Sequence, residues 1–163
     1  MKKLIALLLA CLMLFAVASA ETVDVAASAS VANFYGDYAL TGDDLMNALN
    51  SFSGTYLIVT TDAEGNPNVG FFIYGMVEKD GEYYLQLGLA ANQSRANLEA
   101  TGKCIAVYAA NPDFTDANAK PYAVSGARMW CEAVTDEALF NELNVTGSAT
   151  VMFYHVVTVK PLG

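Results

Sequence analysis

"GTYLIVTTDAEGNPNVGFFIYGMVEKDGEYYLQLGLA", Gly54 to Ala90, is the stretch that decides the fold. Gly54–Thr61 is β-branched and aromatic, which suits a pleated, half-buried strand. Asp62–Pro67 ("DAEGNP") packs four turn-forming residues into six positions and stops that strand. Asn68–Lys79 returns to apolar residues and reads as a second strand, with Gly70 and Gly75 marking bends or bulges. Asp80-Gly81 is a hairpin turn, and Glu82–Ala90 a third strand. Tight turns of this kind make successive strands antiparallel neighbours.

The pattern extends in both directions. Upstream, "TGDDLMNALNS" (Thr41–Ser51) has a capping threonine, two acids at the positive end of a helix, and one apolar face of Leu45, Met46 and Leu49. Downstream, "AANQSRANLEATGK" (Ala90–Lys103) predicts a short helix stopped by Gly102. Lys103–Ala110, Tyr122–Val134 and Ala149–Val159 add three more strands. Asn111–Pro121 is a polar loop, and Thr135–Leu143 a helix capped by Thr135. The expectation is a mainly β protein with small helices, its roughly six strands closing into a barrel or nearly so. A plain antiparallel sheet with helices on one face is the alternative.

The first twenty residues, "MKKLIALLLACLMLFAVASA", join two lysines, an apolar run and an Ala-Ser-Ala end. That is the pattern of a secretory signal peptide, so the mature chain is expected to be exported, from a bacterial source by the style of the signal. A lipoprotein signal at Leu8-Leu9-Ala10-Cys11 is the rival reading, although the apolar run continues beyond Cys11. The run is too short for a comfortable membrane span, and none is expected after cleavage. Residues 21–36 read as a leader and 37–163 as one domain. Cleavage would remove Lys2 and Lys3 and no acid, deepening by two the formal charge of -9. Such an acidic chain excludes nucleic acid as a partner. Cys104 and Cys131 lie in apolar strands, and either a disulfide or two buried thiols fits them. No cysteine and histidine spacing suggests a metal site.

Arg95 is out of place as a bare surface residue, because a helix start carries partial positive charge. An anion bound there would reverse the balance, since free N–H groups, a hydroxyl and a guanidinium would all point at it. Ser94 supplies the hydroxyl, and Asn92 and Gln93 supply amides.

The run from Tyr56 to Tyr108 resembles the core of the pyridoxamine 5'-phosphate oxidase-like family, the FMN-binding split barrels. The residues that carry the likeness are Thr60, Gly65, Pro67, Asn68 and Val69, then Ser94, Arg95, Asn97, Leu98 and Gly102. "VSGARMWCEAV" and "FYHVVTVKPLG" resemble the family's later strands, so the likeness spans Leu40 to Gly163. It implies a six-stranded split β-barrel, a homodimer, and non-covalent FMN in clefts between the subunits. The phosphate would be held by Ser94 and Arg95, with Gln93 and Asn97 beside them. The flavin ring would lie along Asn68, Val69 and Gly70, next to Phe71, with Trp130 reaching it across the interface. Two features depart from the family pattern. The strand Asn68–Ile73 carries no cation, and Gln93 stands where many relatives have lysine. "TGSAT" (Thr146–Thr150) is only a loose match to a covalent flavin acceptor.

Other residues read as structural. His155, the one histidine and the one imidazole available to a haem, alternates with apolar residues on the last strand. Arg128 is expected to pair with an acid such as Glu132 or Glu78. Ser125 lacks a sequence partner other than a spatial one with His155, and no catalytic acid or base stands out. Two functions follow: a flavin-dependent oxidoreductase of a small molecule, or a cofactor-free ligand-binding or interaction module on the same barrel.

Overall fold

The computed structural model describes residues 36–111 and 124–162. The expected signal peptide, nearly all of the leader, and most of the Asn111–Pro121 loop lie outside them. The elements are α1 (Gly42–Asn50), β1 (Thr55–Thr61), β2 (Pro67–Phe71), β3 (Gly75–Lys79) and β4 (Glu82–Gly88). They continue as α2 (Gln93–Thr101), β5 (Lys103–Ala109), β6 (Gly126–Ala133), α3 (Glu137–Leu143) and β7 (Val151–Lys160). No described helix is long and apolar enough to cross a membrane.

All seven strands form one antiparallel sheet in the order β2-β1-β5-β6-β7-β4-β3. The two end strands, β2 and β3, are consecutive in sequence and joined only by Phe72, Ile73 and Tyr74. From Phe71 to Gly75 the backbone reaches at most about 14 Å. A flat sheet of seven strands would hold its edges about 29 Å apart at the usual strand spacing. The strap therefore forces the sheet to curl until its edges approach, which makes a split barrel. The sequence reading of one strand over Asn68–Lys79 is corrected here. Tyr74 turns inward, 1% exposed, and its hydroxyl donates to the Val107 carbonyl at 2.7 Å, so ladder pairing stops at Phe71 and resumes at Gly75. The strand count rises from six to seven for this reason.

Alternation sets the two faces of the wall. Tyr56 and Ile58 of β1, Ala106 and Tyr108 of β5, Ala127 and Met129 of β6, and Leu85 and Leu87 of β4 fill the interior with Met76, Leu98 and Tyr154. Leu45 and Leu49 of α1 enter the same core. Tyr56 packs edge-on against Tyr74, ring centroids 5.2 Å apart, and donates its hydroxyl to the Leu49 carbonyl. Val151 and Phe153 of β7 and Tyr84 of β4 point outward instead, under Leu143 of α3, so this part of the wall is buried on both faces.

Asn50, the last residue of α1, secures one open edge. Its Oδ1 accepts from the Met76 amide at 2.9 Å and its Nδ2 donates to the Met76 carbonyl at 2.8 Å, as a neighbouring strand would. Two expected caps change. Thr41 occupies the N-cap of α1 without a side-chain bond. Asp136, not Thr135, caps α3 by accepting from the Leu139 amide at 2.8 Å; a carboxylate both satisfies that donor and faces the positive helix end.

Candidate functional site

The start of α2 is built from the loop that leaves β4. Asn92 caps the helix, its Oδ1 accepting from the Arg95 amide at 2.9 Å, and Gly102 ends it in the left-handed conformation. The cap faces Ser94 and Asn97 into the barrel wall, where they are 3% and 2% exposed. Opposite them stand Thr60 on β1 and its register partner Asn68 on β2.

These side chains form one connected network. Asn68 Nδ2 donates to Ser94 Oγ at 2.9 Å and lies 3.4 Å from Thr60 Oγ1. Asn97 Nδ2 donates to the same Thr60 oxygen at 3.0 Å, and Gln93 Nε2 donates to Asn97 Oδ1 at 2.6 Å. Asn68, Gln93, Ser94 and Asn97 are thus brought together as the sequence motif suggests. Thr60, the centre of the network, was absent from the expected site residues. It matches the motif, but a threonine in a β-branched strand gives no sign that it faces inward onto two amides.

Arg95 sits at the rim of this cluster, with its side chain 25% exposed. Nε pairs with Glu99 one turn on at 2.7 Å, and Nη1 donates to the Leu89 carbonyl at 2.7 Å. The guanidinium therefore ties the helix to the preceding loop. An anion at this place would bind beside an existing ion pair.

The outer face of the same wall is apolar. Register places Val69, Val59, Ile105, Trp130 and Thr158 in one row across β2, β1, β5, β6 and β7. Phe71, Leu57, Val107, Arg128 and Lys160 form the next row. At the β2 edge Val69 and Phe71 are 61% and 76% exposed. Gly70 lies between them on the inward side, where an added Cβ would meet the Phe72 ring. Trp130, which shares its row with Val69 three strands away, has its indole N–H buried without a partner among the described residues.

Arg128 belongs to this face, and the other remaining candidates are engaged elsewhere. Arg128 donates through Nε to the Pro161 carbonyl at 2.6 Å and lies over Trp130 at 5.7 Å, while Glu132 pairs with Lys103 at 2.9 Å. Lys103 intercepts Glu132 because the two are register partners on β5 and β6. His155 Nε2 meets Glu82 at 2.9 Å and faces Glu132 in the ladder, whereas Ser125 precedes the other end of β6. Seven residues of strand, about 20 Å, separate that serine from the histidine, so they form no catalytic pair. Thr146 lies beyond α3, bonded to Asn144, on the rim of an open groove of about 590 Å³ between α1, β3 and β4. None of the expected flavin residues lines that groove. Among the described residues no group of three acids, histidines or cysteines is placed to hold a metal.

No family model matches the sequence, and no curated protein matches it. Solved structures do match. One is an FMN-binding protein from Syntrophomonas wolfei, at TM-score 0.50 and 14% identity, with 74% of this chain and 85% of that one covered. Another is a HupZ variant from Group A Streptococcus, at TM-score 0.51 and 19% identity, with 76% of this chain and all of that one covered. At these identities the likeness is one of architecture, and it agrees with the motifs at Thr60–Val69 and Ser94–Gly102. The chain accordingly has the split-barrel fold of FMN-binding proteins, the fold implied by its resemblance to the pyridoxamine 5'-phosphate oxidase-like family.

Proposed function

We propose that this chain is an exported FMN-binding protein that acts as a flavin-dependent oxidoreductase of a small molecule and works as a homodimer. One observation carries the reading: a polar cluster and an apolar outer face meet at the same edge strand. Asn68 faces inward to Ser94, and the next residue, Val69, faces outward onto the apolar rows. Because β2 is an edge strand, a ligand anchored at the start of α2 can pass around it and lay a flat ring on that face. Ser94, Gln93 and Arg95 would hold the phosphate, and Asn68, Val69 and Gly70 would border the ring. The outer rows suit a second copy of the chain, and the unpartnered Trp130 N–H suits an acceptor brought by the flavin or by that copy. Bound flavin would supply the two-electron redox chemistry; the chain would orient it and exclude water.

A second reading rests on Arg95. Its guanidinium already engages Glu99 and Leu89, and the cluster beside it is internally bonded, as in a cofactor-free module of the same fold. Titration of the purified chain with FMN and with riboflavin separates the two, read by flavin absorbance and fluorescence. The first reading expects saturable FMN uptake, weaker riboflavin uptake, and a dimer by sedimentation. Absence of uptake at high micromolar FMN overturns it in favour of the second. Arg95→Ala is expected to weaken FMN by about ten- to a hundredfold, the scale of one lost charge-assisted hydrogen bond.

A further inference from the structure

Cys104 and Cys131 are 27 positions apart in sequence and direct register partners on β5 and β6. Both face the barrel interior, 6% and 2% exposed, and both are free thiols. Directly opposed residues of an antiparallel ladder have Cα atoms roughly 4.5–5.5 Å apart, inside the window of about 4.4–6.8 Å that a disulfide needs. Their side chains share one face of the sheet, as a cross-strand bond requires. The β6–β7 register shifts between Trp130 and Cys131, where β7 carries the extra residue Val157 opposite β6.

The position within the sheet matters as much as the geometry. The β5–β6 ladder is the junction between two groups of strands, β2-β1-β5 and β6-β7-β4-β3. The chain connecting those groups at this point is the long segment Ala110–Ser125. A covalent tie here would bypass that segment and fix the central register. Burial, and then the neighbouring Cys104, push the Cys131 thiol well above its ordinary value, so folded Cys131 resists reaction as a thiolate.

We propose that Cys104 and Cys131 form a cross-strand disulfide when the chain folds under oxidising conditions. Two S–H bonds break and one S–S bond forms. The two electrons and two protons pass to a disulfide oxidant, which becomes two thiols. Because the folded thiols are enclosed, the bond closes during folding and is then shielded from reductants. The proposal does not depend on flavin binding.

The full chain is denatured, reduced, and refolded in excess oxidised glutathione, then alkylated under denaturing conditions and digested without reductant. The expected product is one cross-linked peptide pair carrying Cys104 and Cys131. Recovery of both cysteines as alkylated or glutathione-capped peptides overturns the proposal, as does a pairing of either with Cys11 or with a second chain. Thermal melts give an independent reading. Pre-reduction under denaturing conditions should lower Tm by on the order of 10 °C. The double variant Cys104→Ala/Cys131→Ala should melt alike in both preparations. Equal Tm for the oxidised and reduced wild type would also overturn it.

Discussion

Thr60 Oγ1 accepts from two asparagine amides, one on β2 and one on α2, although it is itself 1% exposed. A buried hydroxyl with two amides leaning on it cannot be removed cheaply. Thr60→Val keeps the shape and strands the Asn97 donor, which is 2% exposed. Such an orphaned buried donor costs about 1–3 kcal/mol, read as a lower urea midpoint at unchanged slope. Thr60→Ser, which keeps the oxygen, should recover most of the loss. By contrast, Arg95→Ala removes both the Glu99 pair and the bond to the Leu89 carbonyl, a cost of about 1–3 kcal/mol, so its effect on FMN affinity is to be compared under conditions where both proteins are fully folded. At this scale the motif made Asn68, Ser94 and Asn97 legible, because short polar residues at a helix start seldom occur without partners. The engagement of Arg95 was not legible: Glu99 lies in view four residues on, but the Leu89 carbonyl is brought close only by the loop.

Individual elements depend on single residues at their ends. Asn50 replaces a missing strand beside Met76, and Asn50→Ala would leave that edge of β3 open. The expected result is a loss of about 1–3 kcal/mol, from two hydrogen bonds of about 0.5–1.5 kcal/mol each, with more light scattering on storage as exposed edges pair. Gly126 presents a different limit. A Cβ there would fall 2.2 Å from the Tyr108 carbonyl oxygen, so Gly126→Ala must push β6 away from β5 and should be among the most destabilising single changes in the wall. Strand identities were readable from alternation, and turns from Asp-Gly and Asn-Pro. The division between β2 and β3 was not, because Phe72, Ile73 and Tyr74 are as apolar and β-prone as the strands they join. Only Tyr74's inward turn, a tertiary event, breaks the ladder. The cap of α3 slipped by one residue for a local reason: two adjacent capping types, Thr135 and Asp136, compete, and the ionised one wins.

The whole molecule should be sensitive to base. Burial first, then Cys131 and Cys104, push Tyr74 well above the ordinary 10.0, and burial likewise raises Tyr56, Tyr108 and Tyr154. A phenol whose folded value is raised binds its proton more tightly in the folded state. Its stabilising share is complete below pH 10.0 and falls away as pH climbs toward the folded value. Tyrosine absorbance followed upward from pH 9 should therefore divide into an early phase from exposed phenols and a later one that coincides with loss of the β signal in circular dichroism. A single smooth titration centred on 10.0 would contradict the enclosed tyrosine cluster. The barrel itself was legible as a class, since hairpin-linked short strands have few other ways to bury one face. What the sequence could not convey was the alignment of Val69 with Trp130, which exists only once four strands share a register.

The three-residue strap between β2 and β3 has one more consequence. Its reach limits the girth of the barrel, as a clasp limits a bracelet, so lengthening it acts on every ladder at once and not on one loop. Inserting a few glycines after Ile73 should let the wall uncoil and loosen the Tyr56–Tyr74 contact and the Asn50–Met76 bonds together, whereas the same insertion after Gly65, in the turn between β1 and β2, should be absorbed locally.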